Sequence, residues 1–462
     1  MEKSSPGIKP SLSNLTIYLY GLGEFGYNFI YTFFSYYLMF FLAKFSGLPP
    51  TTVAVLYTLV QWIKMLIMPV GGVIVDNANV KSGKYRTLTL LGSVMMAVGL
   101  TLMFTKFPLS GTAYVIFFLA FCVLGFLSYS IMYTSHRALM GPMSKNPADG
   151  VAMSTAAAQL GAGARIIYGY LIAAVLGILG ATVAASYSLG AAICGLIMVA
   201  CMFVVFVIAK PYEVGTDKAS VAMPKKEKLK FKDIIETLKS KPMLIFVFSM
   251  ILRGAVLTIV TTILVIYITS VLQAPELIPL YMTITYLVQF IGSSIVRWTT
   301  NRFGRKTTFI VSTILSVVFI FLVKFFGGNA TMFVILMSLF QFTGIFASAL
   351  MPVFMADIGE YCALTKGSKA RGFAFSVGGG ALMLAGILGG MIGSFGLVAI
   401  GYNAAVPMTD AVANGLTNLL AFGPSALSLL SCIVFFFYPL TEKYMENVRS
   451  KYSTPEQAEV EA

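Results

Sequence analysis

Long apolar runs dominate the chain and predict its secondary structure. A helix needs about 20 apolar residues to cross ~30 Å of hydrocarbon. Runs of that length recur twelve times, separated by short polar segments. The pattern therefore predicts an all-α integral membrane protein with twelve transmembrane helices. The predicted spans are residues 15–42, 51–76, 87–105, 112–140, 150–178, 183–209, 243–270, 277–300, 307–325, 331–357, 370–399 and 414–440.

Composition agrees with this fold class. Of the 462 residues, 58% are hydrophobic and only 11% are charged, which is too apolar for the surface of a soluble protein. Residues 1–14 are polar and the first apolar run is too long for a signal-peptide core, so we expect the first span to stay as an anchor. The five cysteines lie in or at the ends of spans, and their spacing predicts no disulfide, metal cluster or other cofactor.

The net charge of +14 raises the question of a nucleic-acid partner, and the placement of Lys and Arg decides it. Only Lys44, Lys106 and Lys324 fall on the side of the membrane opposite the termini, and three basic residues, Lys64, Arg165 and Arg253, lie mid-span. All the others fall on the side that both termini share. By the positive-inside rule, both termini are predicted to be cytoplasmic, in a membrane that we expect to be bacterial and inner. Topology thus explains the charge, and no nucleic-acid partner is predicted.

The longest connection, residues 210–242, divides the chain into an N-terminal six-helix half, 1–209, and a C-terminal half, 243–440, followed by a cytoplasmic tail, 441–462. Nine Lys residues in the connection favour a solvated linker near anionic membrane lipid. Within it, apolar residues recur at helical spacing from Phe231 to Leu238, which predicts a short amphipathic helix on the inner membrane surface. The last residues, Pro455 to Ala462, are polar and acidic and are expected to be disordered.

Two loops, after spans two and eight, share a pattern of Gly and charge. A tight turn at Gly, with charges that latch helix ends, suits a gate that opens and closes. Asn301 stands where the second loop would have its acid, so a charge latch there is expected to be weaker. A positive-inside turn alone would also supply the basic residues. The gating candidates are Asp76, Gly83 and Arg86 in the first loop and Arg302, Gly304 and Arg305 in the second.

Both loops resemble the short motif that major facilitators carry at equivalent places in each half. Further segments resemble the glycoside-pentoside-hexuronide:cation symporters, the melibiose-permease family. That resemblance implies a major-facilitator fold, with the solute site between the halves, and secondary transport of a small solute coupled to a cation. The segments are Tyr20-Gly-Leu-Gly-Glu-Phe-Gly26, Phe33-Phe-Ser-Tyr-Tyr37, the loop from Asp76 to Arg86, Asp357-Ile-Gly-Glu-Tyr361 and Arg371-Gly-Phe-Ala-Phe-Ser376.

The functional positions of that family are largely replaced. Where sodium-coupled members have two acids before a Pro in span two, this chain has Lys64-Met-Leu-Ile-Met-Pro69, and an ammonium group there would repel sodium. The two sugar-binding acids of the melibiose permeases align with Asn28 and Tyr133, and their span-eleven Lys aligns with Met383. The family's sodium site is therefore not expected here, and its sugar chemistry is open.

The first span carries a polar stripe along one face. Its residues follow the helical series i, i+4, i+7, i+8, i+11 and i+15, covering about 100° of the helix. Such a stripe is typical of the wall of a water-filled solute path. Hydrogen bonding between packed helices would produce the same pattern. The residues are Tyr20, Glu24, Tyr27, Asn28, Tyr31 and Ser35.

Glu24 is the only acidic residue well inside a span, and Lys64 lies near the middle of span two. An ionisable group in hydrocarbon is costly and normally faces a cavity or a partner. The two side chains could form a structural ion pair. Alternatively, they could form a proton switch, in which Glu24 takes a proton, releases Lys64 and changes the affinity for the solute. On that hypothesis both are ion-coupling residues and protons, not sodium, are the partner.

Arg165 in span five and Arg253 in span seven add two more interior positive charges. A guanidinium fork suits a carboxylate, sulfonate or phosphate, so with Lys64 these residues favour an anionic solute. Each Arg could equally bond backbone carbonyls at a helix break. His136, the only histidine, is expected to be a packing group, with a proton relay as the alternative.

The chain is therefore predicted to be a secondary transporter of a small organic solute, working by alternating access. The predicted solute is a glycoside, a hexuronide or another organic anion. A receptor that binds without transporting, or a transporter of an amphipathic lipid-like solute, is the alternative. The sequence shows no nucleophile with a positioned base and no nucleotide motif, so no enzyme is predicted. The candidate solute-binding residues are Tyr20, Glu24, Tyr27, Asn28, Tyr31, Lys64, Tyr133, Arg165 and Arg253.

Overall fold

The computed structural model describes residues 11–80, 82–144, 147–180, 183–213, 238–366 and 371–452. Within these ranges the chain folds into twelve long helices and one shorter C-terminal helix, together with the short helices Met140–Met143 and Lys210–Glu213 and the π-helical segment Tyr267–Val271. The first six are α1 (Asn14–Phe45), α2 (Pro50–Asn77), α3 (Lys84–Met103), α4 (Gly111–Ala138), α5 (Pro147–Leu179) and α6 (Ala184–Ile208). The others are α7 (Lys241–Ile266), α8 (Leu277–Phe303), α9 (Arg305–Phe326), α10 (Ala330–Lys366), α11 (Arg371–Ala399), α12 (Asp410–Phe436) and α13 (Glu442–Tyr452).

The predicted spans match these helices closely, with two informative differences. The helix predicted to end at 357 continues as α10 to Lys366, which places Glu360 on the helix instead of in a loop. The tail begins with the ordered helix α13. The predicted amphipathic helix around 231–238 and the acidic end of the tail lie almost wholly outside the described residues. By length and apolar composition, ten helices in the described part of the chain could cross a membrane.

Local chemistry sets several of the helix ends. Ser13 begins α1 by accepting a 3.1 Å hydrogen bond from the Thr16 N–H, as an N-cap residue does. The buried Asp149, in the first turn of α5, accepts hydrogen bonds from the backbone N–H of Ser11 and Leu12, at 2.6 and 3.1 Å. A carboxylate at a helix N-terminus also complements the helix dipole. The start of α1 is thereby tied to the start of α5.

The helices are organised into two compact units. The first contains residues up to Pro224, with the segments Ile278–Tyr286 and Asn403–Val406, and the second contains the remainder. In the first unit, α1 packs on α5 and α6, α3 packs on α4 and α6, and α2 packs on α4. In the second unit, α7 packs on α11 and α12, and α9 packs on α10 and α12. Four pairings, first with fifth, first with sixth, third with fourth and third with sixth, thus recur, as expected for repeated six-helix halves.

Candidate functional site

The carboxylate of Glu24 in α1 pairs with Arg137 in α4, with 3.2 Å between Oε1 and Nη2. The Glu24 side chain is 16% exposed and that of Arg137 is 49% exposed. The Arg137 guanidinium also lies 4.7 Å from the centroid of the Tyr133 ring, one turn earlier on α4. Because Arg137 is half exposed, solvent screens the pair and its strength is modest. The pair can therefore open when the charge around it changes.

Asn28 connects this acid to Arg165 in α5. Its amide nitrogen donates to the Glu24 backbone carbonyl at 2.6 Å, and its Oδ1 accepts from Arg165 Nε at 2.9 Å. Gly161 makes this approach of α1 and α5 possible, because a Cβ there would lie 2.9 Å from Asn28 Nδ2. Within the described residues, Arg165 has no carboxylate within 4 Å. Its remaining N–H groups are available to a solute.

These groups surround a cavity of about 280 Å³ in the first unit, near the lower end of the size range of small-molecule sites. Two guanidinium groups and one carboxylate line it, so with a neutral histidine the wall carries one net positive charge. The lining residues that bear on its chemistry are Tyr20, Glu24, His136, Arg137, Gly161 and Arg165.

His136 is buried beside the cavity and packs tightly on α1. Its ring stacks on Tyr20 at 4.5 Å, and its Nε2 lies 3.2 Å from the Tyr20 carbonyl oxygen. The Tyr20 hydroxyl in turn donates to the His136 carbonyl at 3.0 Å. A Cβ on Gly23 would overlap His136 Nε2, so the glycine is required for this contact. These contacts favour the packing role for His136.

Four tyrosines of α1 and α4 form a cluster next to the cavity: Tyr27, Tyr31, Tyr129 and Tyr133. The Tyr27 hydroxyl donates to that of Tyr129 at 3.2 Å, and their rings stack at 5.4 Å. Tyr31 and Tyr133 each lie within 6.3 Å of a neighbouring ring. Flat aromatic faces of this kind bind apolar faces of a ring while their hydroxyls stay hydrogen-bonded.

The predicted ion pair between Glu24 and Lys64 is wrong. Lys64 Nζ lies 5.6 Å from the centroid of the Tyr31 ring, a cation–π arrangement. Tyr31 is seven residues from Glu24, or about 10 Å along the helix. Arg137 pairs with the Glu24 carboxylate instead. It lies one turn after Tyr133 on α4, at the level of Glu24 on α1.

Arg253 lies in the second unit, on α7. Its Nη2 donates to Ser316 Oγ in α9 at 3.2 Å, and its guanidinium lies 5.8 Å from the Phe340 ring centroid in α10. The structure brings together eight of the nine predicted solute-binding residues in the first unit, seven of them on α1, α4 and α5. Lys64, on α2, joins them through Tyr31.

The first gating loop is held by a residue that the sequence reasoning missed. Gly83 adopts a φ of +97°, which an L-residue rarely adopts, and α3 begins immediately after it. Both oxygens of Glu213 accept backbone N–H groups at this N-terminus, from Tyr85 at 2.7 Å and Arg86 at 2.8 Å. The buried Arg86 side chain bonds the Ser82 carbonyl at 2.6 Å. The backbone carbonyl of Asp76 accepts a hydrogen bond from Lys84 Nζ at 2.8 Å.

The second gating loop has the same arrangement, a glycine of positive φ followed by a helix N-terminus that bonds an acidic side chain. Gly304 has a φ of +81°, and Glu442 accepts from the backbone N–H of Arg305, the first residue of α9, at 2.6 Å. The Arg305 side chain pairs with Asp357 of α10 at 2.7 Å. The expected weakness at Asn301 is thus offset by acids from α10 and α13. Arg302 is exposed in the last turn of α8, where a cation complements the helix dipole.

Arg137 is the main residue of the cavity that the sequence reasoning did not include. Tyr129, Tyr133 and Arg137 are spaced by four and therefore share one face of α4. The spacing of four could have been recognised in the sequence, like that of the polar stripe of α1.

Comparison with known proteins identifies the family. Residues 19–442 match the family described as MFS/sugar transport protein. The chain is 24% identical to the Bacillus subtilis "Uncharacterized symporter YnaJ" over 434 residues, 93% of this chain and 92% of that protein. It is 26% identical to the Escherichia coli "Putative sulfoquinovose importer" over 439 residues, 92% of this chain and 90% of that protein. It is 24% identical to the E. coli "Glucuronide carrier protein homolog" over 460 residues, 95% of each chain.

Solved structures agree on the fold. The nucleoside transporter NupG superposes with a TM-score of 0.65 at 13% identity, over 92% of this chain and 98% of that one. A bacterial homolog of the lysosomal transporter Spinster, in an inward-facing and unoccupied conformation, superposes with a TM-score of 0.64 at 13% identity, over 96% and 99%. The predicted all-α major-facilitator fold and the prediction of a secondary transporter of a small organic solute, not an enzyme, are confirmed. Of the twelve predicted spans, ten are long and apolar enough to cross a membrane within the described residues. The chain belongs to the MFS/sugar transport protein family, the glycoside-pentoside-hexuronide kind of major facilitator that its motifs predicted.

Proposed function

We propose that this transporter carries a small organic anion, a carboxylated or sulfonated sugar, and that the cavity beside Glu24 binds its acidic group. One observation carries the proposal: two guanidinium groups, Arg137 and Arg165, face a single carboxylate in one cavity of about 280 Å³. A bound monoanion would bring the wall of the cavity to neutrality. The guanidinium fork matches the two or three oxygens of a carboxylate or sulfonate.

The tyrosine cluster supports a sugar as the body of the solute. Tyr133 lies between Arg137 and the rest of the cluster, with its ring centroid 5.5 Å from that of Tyr129. A sugar acid whose charged end contacts Arg137 could place its ring against Tyr133. The relatives' names are consistent with this class, since they include a glucuronide carrier homolog and a 2,3-dihydroxypropane-1-sulfonate exporter. An isoprimeverose transporter is also among them, so a neutral glycoside is the alternative solute.

Protons are the proposed coupling ion, and Glu24 is their proposed acceptor. With Glu24 ionised, Arg137 is paired and the cavity has one net positive charge; with Glu24 protonated, Arg137 is released and the cavity has two. A protonated Glu24 therefore favours an anion in the cavity. By linkage, a bound anion favours protonation of Glu24 to the same extent. One proton and one monoanion would then bind and leave together.

The placement of this protein in a bacterial inner membrane, with both termini cytoplasmic, is part of the proposal. It rests on the excess of Lys and Arg in the segments on the side of the termini. The named relatives are bacterial proteins, which agrees with it.

Arg165→Gln tests the solute class. In proteoliposomes, we expect wild-type protein to take up labelled glucuronate or a sulfonated sugar well, and a neutral methyl glucoside poorly. Arg165→Gln should reduce anion uptake at least tenfold, because a hydrogen bond to a charged group contributes about 1.5–3 kcal/mol. The control is Lys106→Gln, which removes one positive charge from an exposed loop.

Each outcome of this test has a clear meaning. Equal loss of anion and neutral-sugar uptake in Arg165→Gln would refute an anion-binding role. Uptake of neutral glycosides alone by wild-type protein would show that the family's usual solute class is retained. Binding with no filling of the liposome lumen would identify a receptor. Movement of labelled lipid between leaflets would indicate an amphipathic solute.

A further inference from the structure

Arg253, on α7 of the second unit, has a fully buried Nε with no hydrogen-bond partner among the described residues. The side chain makes a single hydrogen bond, from Nη2 to Ser316 Oγ at 3.2 Å. An arginine carries five N–H donors, so most of them remain for another partner. No Asp or Glu in the described part of the chain lies within 4 Å of its nitrogens.

The hydroxyl groups beyond Arg253 are ordered in one direction. Thr343 Oγ1 donates to backbone carbonyls of its own helix, Phe340 at 2.9 Å and Leu339 at 3.1 Å. Its hydrogen is therefore committed, and Ser316, at 2.6 Å, must donate to Thr343. The Ser316 lone pairs then face Arg253 and accept from Nη2. The relay runs from Arg253 through Ser316 and Thr343 to a carbonyl, and it stabilises a positive charge at its start.

The relay satisfies only one side of the guanidinium. Gly344, one turn beyond Phe340 on α10, lets the group approach that helix closely, since a Cβ there would lie 3.2 Å from Nη2. Nη2 thus lies against α9 and α10, while the buried Nε bonds nothing among the described residues. A buried donor without an acceptor costs about 1–3 kcal/mol, and more when it is charged.

We propose that Arg253 is a second oxyanion-binding residue of this protein, in a unit separate from the cavity at Glu24. The N–H groups of its guanidinium that bond nothing among the described residues, Nε among them, donate to oxygens of a carboxylate, sulfonate or sulfate, while Nη2 stays bonded to the hydroxyl relay. Two sources have this chemistry: the acidic group of the transported solute and a free inorganic oxyanion. For the solute, the inference rests on the proposed function; for the inorganic ion, it does not.

The test measures oxyanion-induced thermal stabilisation of the purified full-length protein at constant ionic strength. The probes are sodium sulfate, sodium methanesulfonate and sodium glucuronate, with sodium chloride as the reference salt. A ligand that binds only the folded state raises the apparent melting temperature by mass action. All measurements are made in an Arg137→Gln/Arg165→Gln background, which removes both guanidinium groups of the cavity in the first unit. Into it are introduced Arg253→Gln, Arg253→Lys and the control Lys443→Gln, an exposed charge in the second unit.

We expect at least one oxyanion to stabilise the background protein, with complete loss in Arg253→Gln and full retention in Lys443→Gln. Arg253→Lys should keep a reduced response to sulfate and lose the response to glucuronate, because an ammonium cannot form two parallel hydrogen bonds. Without ligand, Arg253→Gln should melt at the same temperature as the background or higher, because it removes an unpaired buried charge. A lower melting temperature, with the oxyanion response intact, would overturn the inference and make Arg253 a structural residue.

The results distinguish the two possible ligands of Arg253, and they also distinguish the second site from the proposed function. A response to glucuronate or methanesulfonate assigns the site to the solute, and a response to sulfate alone assigns it to an inorganic ion. If Arg253 governs stabilisation by sulfate while no organic anion is transported, the second site stands and the proposed function fails. If anion transport depends on Arg165 and none of the oxyanions stabilises the protein through Arg253, the proposed function stands and the second site fails.

Discussion

Replacing Glu24 by Gln tests the proposed coupling mechanism most directly. Gln has nearly the same shape as a protonated Glu, so the cavity keeps its volume while losing its only carboxylate. Arg137 loses its 3.2 Å partner and becomes available to the solute. The variant should therefore behave as permanently protonated protein, binding the anion tightly at every pH.

The size of the effect follows from the geometry. An anion bound at Arg137 would lie about 6 Å from the Glu24 carboxylate, and at an effective dielectric of about 20 their repulsion is about 3 kcal/mol. Arg137 is 49% exposed, so solvent screening reduces this to about 1 kcal/mol. At pH 8 we therefore expect Glu24→Gln to bind the anionic solute roughly fivefold more tightly than wild-type protein does. In wild-type protein the affinity should rise as the pH falls, because protonation removes the same carboxylate; in the variant it should not change with pH.

Transport separates coupling from binding. In proteoliposomes with an alkaline interior, wild-type protein should accumulate the anion above its external concentration. Glu24→Gln should not accumulate it, yet should still exchange labelled for unlabelled solute across the membrane, since exchange requires no net proton movement. Glu276→Gln is the matched control, because Glu276 is exposed at the N-terminal end of α8 and should leave both activities unchanged.

Either of two results would refute the reasoning. Full accumulation driven by the pH gradient in Glu24→Gln would show that protons are carried by another group. A loss of exchange as well as accumulation would show that the carboxylate contributes to solute binding itself, and the charge argument would then be wrong.

Two further predictions concern stability. Glu442→Gln should destabilise the protein by about 1 kcal/mol, because a charged acceptor at the first N–H of α9 is lost, whereas the exposed Glu446→Gln should have little effect; equal melting temperatures would contradict the capping role. Gly23→Ala should cost about 1–3 kcal/mol, because the new Cβ overlaps His136, while Gly163→Ala, which has open space, should be neutral or slightly stabilising; an unchanged melting temperature for Gly23→Ala would show that α1 and α4 can separate there without cost.

The fold could be predicted because hydrocarbon imposes strict requirements on a sequence. A chain in a membrane must satisfy its backbone hydrogen bonds within each span, so run length alone locates the helices. The predictions were least accurate at helix ends beyond the apolar boundary, as where α10 continues to Lys366. Past the apolar boundary a helix can continue on polar residues, and hydropathy no longer reports it. The acids of α10 and α13 that hold Arg305 were therefore not foreseen.

The candidate site was predictable along one helix and not across helices. The polar stripe of α1 follows from periodicity, and Glu24, Asn28 and Tyr20 all lie at the cavity or beside it. The sequence does not reveal which basic residue pairs with Glu24, because three basic side chains could have reached the depth of Glu24 in the membrane. Which one does so depends on helix rotation and on the glycines that set the distance between helices. Gly161 lets α5 approach closely enough for Arg165 to reach Asn28, and no charge pattern in the sequence encodes that contact.

The charges inside the two units lead to a common interpretation. In the first unit, Arg137 is neutralised by Glu24, and Arg165 contacts the neutral oxygen of Asn28 and the Tyr286 ring. In the second unit, Arg253 contacts the neutral oxygen of Ser316 and the Phe340 ring. Each unit thus retains one guanidinium whose charge no described carboxylate balances, in helices where uncompensated charge is costly. Such an arrangement is difficult to explain by folding stability, since an apolar residue would pack at lower cost. It is explained if a ligand supplies the missing negative charge, because the bound anion then offsets the cost of burying an unbalanced positive charge.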